Sequence, residues 1–506
     1  MNFDALARDA GVPVVTDADK LRPYETPERG DPGHTAGLLL PADEDAVGRI
    51  LAAATAHRLP LVISAGRTGL VEAQRPEGEL VLSLERLRRP RVFVSGDFEH
   101  LFAEDGTPES WCDELFAAWD TAGRPSLEDS RIEVEAGMAI DALNTVLSGI
   151  GRMFPMEMGS SASASVGACV ANASAGANAV CYGTGAQMCE RAHGYWADGT
   201  PAGPCEGPVW RLPAADELVI DSSRFDPALG LIASQGVLGV ITRVELRLSG
   251  VPAVREALLL PAPDMPTAMR YLAAARTRFG AAIEEFEFMS RAAIAAVAEH
   301  RGAEFRFPLA TREAPFYLLL QVRGETADDD LATPLYELAA EDLGLDDEQI
   351  GYAPLEALKP IRHSITESSN AAMRRRGGGR LSFDTATPVA VFGDYLAELE
   401  SALRAQSPDL LLIAFGHAGV GGAHLHVLGS GAVPVAAHRD AIVSTVFDVT
   451  QHYGGTFSAE HGVGPKWADE FLRRVPDDAV AAMRAAKRRH DPAGILNPRS
   501  FGLIPG

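Results

Sequence analysis

Between Met158 and Gly176 the chain runs for nineteen residues, MGSSASASVGACVANASAG, with almost no side-chain bulk and no charge. This is not the composition of a solvated linker. Without side chains, a backbone can come very close to a neighbouring element or to a large flat ligand, and the serines and Asn172 add hydrogen-bonding groups. A tightly packed helix–sheet contact and a ligand wall are both open readings. Two further segments share this character. Ile63-Ser64-Ala65-Gly66-Arg67-Thr68-Gly69-Leu70 follows an apolar run directly. A tight turn of small residues there can aim several backbone N–H groups at one point and hold phosphate. Ser234-Gln-Gly-Val-Leu-Gly-Val-Ile-Thr242 again puts glycines just ahead of a strand. One such turn is expected by chance among 49 glycines, so the weight lies in the set.

A chain of 506 residues exceeds what one core supports, and two or three domains follow. Residues 36–92 read as strand, helix, strand, strand, with Pro41-Ala42-Asp43 at the helix start and Ala46, Val47, Ile50, Leu51 and Ala54 on one face. The stretch from Arg91 to Asp129, acidic and broken by Pro108 and Pro125, reads as a surface insertion. Strand RIEVEAGM, helix AIDALNTVLSGIG and strands ELVIDS and GVITRVELRL complete a first unit near residue 250. Helix 267–279, strand IEEFEFM, helix 291–300 and strand FYLLLQVRG then suggest an α+β layer with an antiparallel sheet. Strands DLLLIAF and AHLHVLG, a helix over 436–452 and two final helices ending in DPAGILNP close the chain.

Charge and cysteines exclude several classes. The net charge of −24 repels polyphosphate, so nucleic acid is not an expected partner. The run Arg374-Arg375-Arg376 reads first as a solvated helix end, second as an anion attractor. Five cysteines with no CxxC pair suggest neither a disulfide framework nor a cysteine zinc site. Asp4 and Asp9 interrupt the amino-terminal stretch, which does not read as a signal peptide. Histidines and glycines break up the least charged long stretch, 410–437, so it does not read as a membrane span. A cytoplasmic location is the expectation, with a site peripheral to a membrane as the alternative, and a homodimer is open.

The sharpest chemical signal is Gly416-His417-Ala-Gly-Val-Gly-Gly-Ala-His424-Leu-His426, followed by Glu460-His461-Gly-Val-Gly464. Two imidazoles and a carboxylate from separate glycine-framed turns suit a metal with open coordination positions. His424 and His426 fall on one face of a strand and can line one pocket. Upstream, Arg362 and Thr366 are four apart on one helix face, and an arginine can grip a carboxylate in bidentate fashion. A surface salt bridge is the plain alternative for Arg362.

Together these segments resemble two related groups. The order LP-x-D at 40–43, AGRTG at 65–69, VEAG at 134–137, the GS…VGACVAN region and Q-GVLGVIT is similar to the FAD-binding domain of the vanillyl-alcohol oxidase / p-cresol methylhydroxylase superfamily. The histidine turns resemble the GHxGxGxxH…EHGxG pattern of the D-2-hydroxyacid dehydrogenases of the D-lactate, glycolate-oxidase-subunit and D-2-hydroxyglutarate type. The implied fold is α+β: a two-part FAD-binding domain over 1–250 (insertion about 91–129), a substrate or cap domain with an antiparallel sheet over 251–455, and a 456–506 segment returning to the flavin. The resemblance implies FAD at Ala65, Gly66, Arg67, Thr68, Gly69, Gly159, Ser160, Ser165, Gly167, Asn172 and Ile241. It implies a divalent metal, commonly zinc, on His417, His424 and Glu460, a base at His461, and substrate binding by Arg362, Thr366 and His426. The expected reaction is oxidation of a D-2-hydroxy acid to the 2-oxo acid, with a quinone, an electron-transfer protein or another acceptor reoxidising the flavin. The chain departs from the pattern at Arg67, Glu72-Ala73, Gln235, Val420, Gly422 and His426, and at Ser382, where the group has a lysine. Two competing readings follow: a metal-free flavin oxidase of phenols or alcohols, and a catalytically silent flavin- or metal-binding protein.

Overall fold

A computed structural model describes residues 3–28, 30–208, 220–310 and 312–504. Near the amino terminus Asp43 caps the helix Glu44–His57, its carboxylate accepting the Ala46 N–H at 2.7 Å. The apolar face of that helix buries Val47, Ile50, Leu51 and Ala54. It covers a parallel three-stranded sheet in which Leu80–Ser83 lies between Gly37–Leu39 and Leu61–Ser64. Strands buried on both faces read as continuous apolar runs, as LVIS and LVLS do.

A second, antiparallel sheet runs in the order Phe98–Leu101, Pro90–Ser95, Arg131–Glu135, Gly239–Arg247, Cys189–Trp196, Cys205–Glu206. Two of its strands come from the segment expected to be a surface insertion, which is corrected here. Gly96-Asp97 forms the two-residue turn of a hairpin, with Gly96 at φ 56°, and the Pro108–Thr121 helix buries Trp111 and Leu115 in the core beneath. Acidic residues face water along this segment and mask the alternation of RVFV. Of the expected strand ELVIDS, 217–219 lie outside the described residues, and Ile220 to Ser222 are not in a strand.

From residue 254 the chain builds a seven-stranded antiparallel sheet in the order Gly351–Tyr352, Val254–Ala262, Phe316–Gly324, Ile283–Ser290, Leu411–Gly416, Gly422–Ser430, Gly377–Ala386. One face, with Leu258, Leu260, Phe286, Phe288, Leu318, Leu320 and Leu425, packs against the helices Met265–Phe279, Phe392–Gln406 and Arg439–His452. The opposite face divides. Its apolar part, including Met289, Tyr317, Leu319 and Ile413, lies under the helices Arg291–Arg301, Leu355–His363 and Ile365–Arg376. The strand registers set Ser382 beside His426 and Asp384 beside His424, so these polar residues share that face with Glu285 and Glu287. The basic run closes the Ile365–Arg376 helix: Arg375 pairs with Glu299 and Arg376 donates to the Gly429 and Asp409 carbonyls.

The last helices, Ala468–Arg474 and Asp477–His490, lead back to the first sheet. There Leu61 N–H donates to the Ile495 carbonyl at 2.7 Å and Asn497 N–H to that of Leu61 at 2.9 Å. Among the described residues no helix is long and apolar enough to cross a membrane.

Candidate active site

A cleft of about 800 Å³ passes from the small-residue loops of the first unit to the polar face of the large sheet. Ala65, Gly66, Arg67, Thr68, Gly69, Gly159, Ser160, Gly167, Asn172 and Ile241 all line it. Ser165 does not. It is buried behind the wall at the start of the Val166–Asn172 helix, bridged to Ala139. The small-residue run both packs closely and lines the cleft. A Cβ on Gly66 would sit 2.0 Å from the Ser163 carbonyl oxygen, and one on Gly167 would sit 2.4 Å from the Ala136 Cβ, so close packing fixes the same loops that line the cleft. Arg67 takes a left-handed φ of 58°, and its guanidinium pairs with Glu85 at 2.8 Å over the Tyr24 ring. Its side chain is thus committed to protein partners, leaving the backbone of the loop to meet a ligand.

Two cleft residues on this side escaped the sequence reading. Asn497, reached only by the returning chain end, lines the wall beside Ile63. Gln235, noted only as a departure, donates to the Ser222 carbonyl at 2.9 Å and accepts the Val463 N–H at 3.0 Å, tying a loop on this side of the cleft to the Glu460-His461 turn.

At the far end the structure brings His417, His424, Glu460, His461, Arg362, Thr366 and His426 onto one wall. Gly421 permits the turn between the first two histidines: φ is 71°, and a Cβ would lie 1.9 Å from the Thr387 carbonyl oxygen. His417 Nε2 stands 3.3 Å from both His424 Nε2 and Glu460 Oε1. Two further acids, both missed from sequence, hold these groups. Glu287 Oε1 lies 2.5 Å from His417 Nδ1, and its Oε2 accepts from Arg362 Nε at 2.6 Å. Asp384 Oδ2 accepts the backbone N–H groups of Glu460 and His461, each at 2.8 Å. His426 Nδ1 lies 2.8 Å from Ser369 Oγ, and the His461 ring stacks on His424 at 5.6 Å between centroids.

The donor set suits a cation. Two triads share His424: His417/His424/Glu460 and Asp384/His424/His461. Asp384 is already engaged by two N–H groups and stands 3.6–3.7 Å from its histidines. Glu460 Oε1 is buried with no hydrogen-bond partner and faces the two imidazole nitrogens. Burial drives the His417 imidazole towards neutrality, but the carboxylates of Glu287 and Glu460 override it and hold its pKa at about 9. Burial, His417 and His461 push His424 well below its ordinary value. Burial raises Glu460, against the pull of His417. Burial would also raise Glu287, yet His417 and Arg362 bring it to about 2. A cluster that presses a proton onto His417 between two carboxylates and a neutral imidazole offers the same electrostatic welcome to a divalent ion.

Comparison with known proteins places this architecture. The profile of FAD linked oxidases, C-terminal domain, matches residues 251–501, and that of the FAD binding domain matches residues 124–201. D-2-hydroxyglutarate dehydrogenase of Xanthomonas citri pv. viticola is 27% identical over 468 residues, covering 91% of this chain and 88% of that protein. The mitochondrial D-2-hydroxyglutarate dehydrogenase of Bos taurus is 25% identical over 515 residues, covering 99% and 83%. Among solved structures, p-cresol methylhydroxylase with substrate bound aligns with a TM-score of 0.65 at 17% identity, over 99% of this chain and 95% of that one. The 4-ethylphenol oxidase of Gulosibacter chungangensis aligns at 0.64 and 17%, over 99% and 97%. The chain thus carries an FAD binding domain and the C-terminal domain of FAD linked oxidases, joined by one cleft, on a fold shared with p-cresol methylhydroxylase.

Proposed function

We propose that this protein is an FAD-dependent dehydrogenase of D-2-hydroxy acids, with a divalent cation, zinc by its donor set, held by His417, His424 and Glu460. The observation that carries the reading is continuity: one cleft joins the loops Ala65–Gly69 and Gly159–Ser160 to that triad, with Arg362 on the same wall. The names of the bacterial and bovine relatives support a D-2-hydroxy acid as substrate and a 2-oxo acid as product. When bound, FAD supplies the electron acceptor, and the cation supplies Lewis acidity at the α-hydroxyl. The protein's own groups do the positioning. Arg362 has its Nε engaged by Glu287, so the substrate carboxylate meets its Nη edge, with Thr366 one turn along. His461 takes the hydroxyl proton, and Asp384 fixes the turn that presents it. Such positioning contributes roughly 7–11 kcal/mol to lowering a barrier.

Ser382, Asn370 and His426 line the substrate end, where Arg362 is the one arginine or lysine among the described lining residues. This supports a substrate with a single carboxylate and an uncharged side chain, in contrast to the glutarate skeleton in the relatives' names. A quinone or an electron-transfer protein reoxidises the flavin in this reading. The test is anaerobic flavin bleaching with paired D- and L-2-hydroxy acids, before and after chelation. D-acids should bleach, L-acids should not, and zinc or manganese should restore a chelated sample. Bleaching by phenols alone, indifferent to chelators, would establish the metal-free oxidase instead.

A further inference from the structure

We propose that Glu287 is the shared positioning residue of this site: one buried carboxylate fixes the metal ligand His417 and the anion anchor Arg362 relative to each other. The inference rests on the reading above, that His417 holds a cation and Arg362 a substrate carboxylate. Its ground is geometric. Glu287 is 1% exposed and lies within the Ile283–Ser290 strand, paired with Leu319 on one side, in the interior of the seven-stranded sheet. Each oxygen serves a different element. Oε1 meets Nδ1 of His417, on the turn after Leu411–Gly416, at 2.5 Å, and Oε2 meets Nε of Arg362, on the Leu355–His363 helix, at 2.6 Å.

Two consequences follow. With Nδ1 engaged, His417 presents Nε2 towards His424 and Glu460, so the carboxylate selects the ring nitrogen left for a metal. With Nε engaged, and its plane also set over the Phe415 ring at 4.7 Å, the Arg362 guanidinium can turn only its Nη edge to the cleft. The separation between cation and substrate carboxylate is thereby set from the rigid middle of a sheet and not by two loops independently. The neighbouring acids do not substitute. Glu285, on the same face, is paired with Lys359 at 2.9 Å, and Glu284, at the register shift before it, is bound to Arg255 at 2.6 Å.

The test uses flavin-loaded protein, with zinc affinity read by chelator competition and KM and kcat read with the best-bleaching hydroxy acid. Glu287→Gln removes the negative charge on which both contacts depend, and its NH2 end either meets Arg362 Nε donor to donor or turns the His417 tautomer so that Nε2, the nitrogen left for a metal, carries the proton. The expected result is a 10–100-fold weaker zinc Kd together with at least a tenfold higher KM, at retained FAD absorbance. Arg362→Met should raise KM while leaving zinc Kd within threefold. Glu287→Asp should recover part of both losses, and it is read the same way, by a rise in both constants, should the Gln variant fail to hold FAD. Wild-type zinc Kd and KM in the Gln variant, or in the Asp variant when that one stands in, overturn the proposal. Loss of zinc affinity alone also overturns it, because the contact with Arg362 would then set nothing. A wild-type protein that binds no zinc and is bleached by no hydroxy acid sinks the parent reading and this one with it; a wild-type protein that does both, matched by Glu287→Gln, sinks this one alone.

Discussion

His461 is presented to the cleft by its backbone. Its N–H and that of Glu460 share Asp384 Oδ2, and this single acceptor shapes the turn that sends one side chain to the triad and the other to the cleft. If His461 is the base, His461→Ala should slow flavin bleaching by 10²–10⁴-fold, the usual contribution of a general base, while FAD absorbance and bound zinc persist. Bleaching at the wild-type rate would remove it from that role. Four residues of the cluster were legible because glycines frame them at fixed spacing: Gly416, Gly419, Gly421 and Gly422 around His417 and His424, and Gly462 and Gly464 after Glu460 and His461. Asp384 and Glu287 were not. One acid in LSFD, or one of three in IEEFEFM, carries no spacing signal, and only the strand registers bring each to the histidines. Ser165 shows the converse: resemblance located the segment, but which way a small side chain points depends on a helix start that the sequence GSSASASVG does not mark.

At the scale of one element, the strand Ile283–Ser290 was read from sequence within a residue of its end, yet its character was not. Three glutamates in eight residues suggest a solvated strand, but Glu284, Glu285 and Glu287 are each 1% exposed. Their partners lie 29 to 130 positions away in sequence, beyond any local pattern. Glu284 binds Arg255 through Nε and Nη2 at 2.6 and 2.9 Å, accepts from Gln321 at 2.6 Å, and meets the Tyr182 hydroxyl, which belongs to the first unit, at 3.1 Å. Burial alone would raise its pKa, but Arg255 prevails and the carboxyl is held below its ordinary value of 4.5. A carboxylate with a depressed folded pKa stabilises above its unfolded pKa, and that contribution is lost as pH falls through the folded value. Glu284→Ala should therefore cost about 3 kcal/mol in denaturant titrations between pH 6 and 8, since it strands a half-buried arginine. The gap to wild type should narrow steadily below about pH 4.5, in the direction linkage requires. A gap that stays constant down to pH 3 would mean the carboxylate is not charged in the folded protein.

Across the whole molecule, the flavin end of the cleft is completed by the last residues of the chain. Composition and periodicity predicted the final helices and the DPAGILNP stop, but not what the stop touches, because its contacts cross 434 and 262 positions of sequence. Lys487, buried, donates to the Val237 and Leu496 carbonyls at 2.7 Å and pairs with Asp491 at 2.6 Å, pinning the returning segment in place. Asn497 then takes a left-handed φ of 40°, which asparagine tolerates better than most residues. Its Oδ1 accepts the Ile63 N–H at 2.9 Å, and its Nδ2 donates to the Gln235 and Gly236 carbonyls at 3.1 and 3.3 Å. One side chain thus spans two of the three small-residue segments that first marked this sequence. Asn497→Ala removes all three contacts and should cost about 1–3 kcal/mol while weakening FAD binding at least tenfold. Asn497→Asp separates cause from coincidence. It keeps the acceptor for Ile63 but turns an oxygen towards two carbonyls, so it should hold FAD no better than the alanine variant, as fluorescence of released flavin would read. An aspartate variant that binds FAD as wild type does would show that Asn497 merely fills space, and that the chain end does not shape the cofactor site.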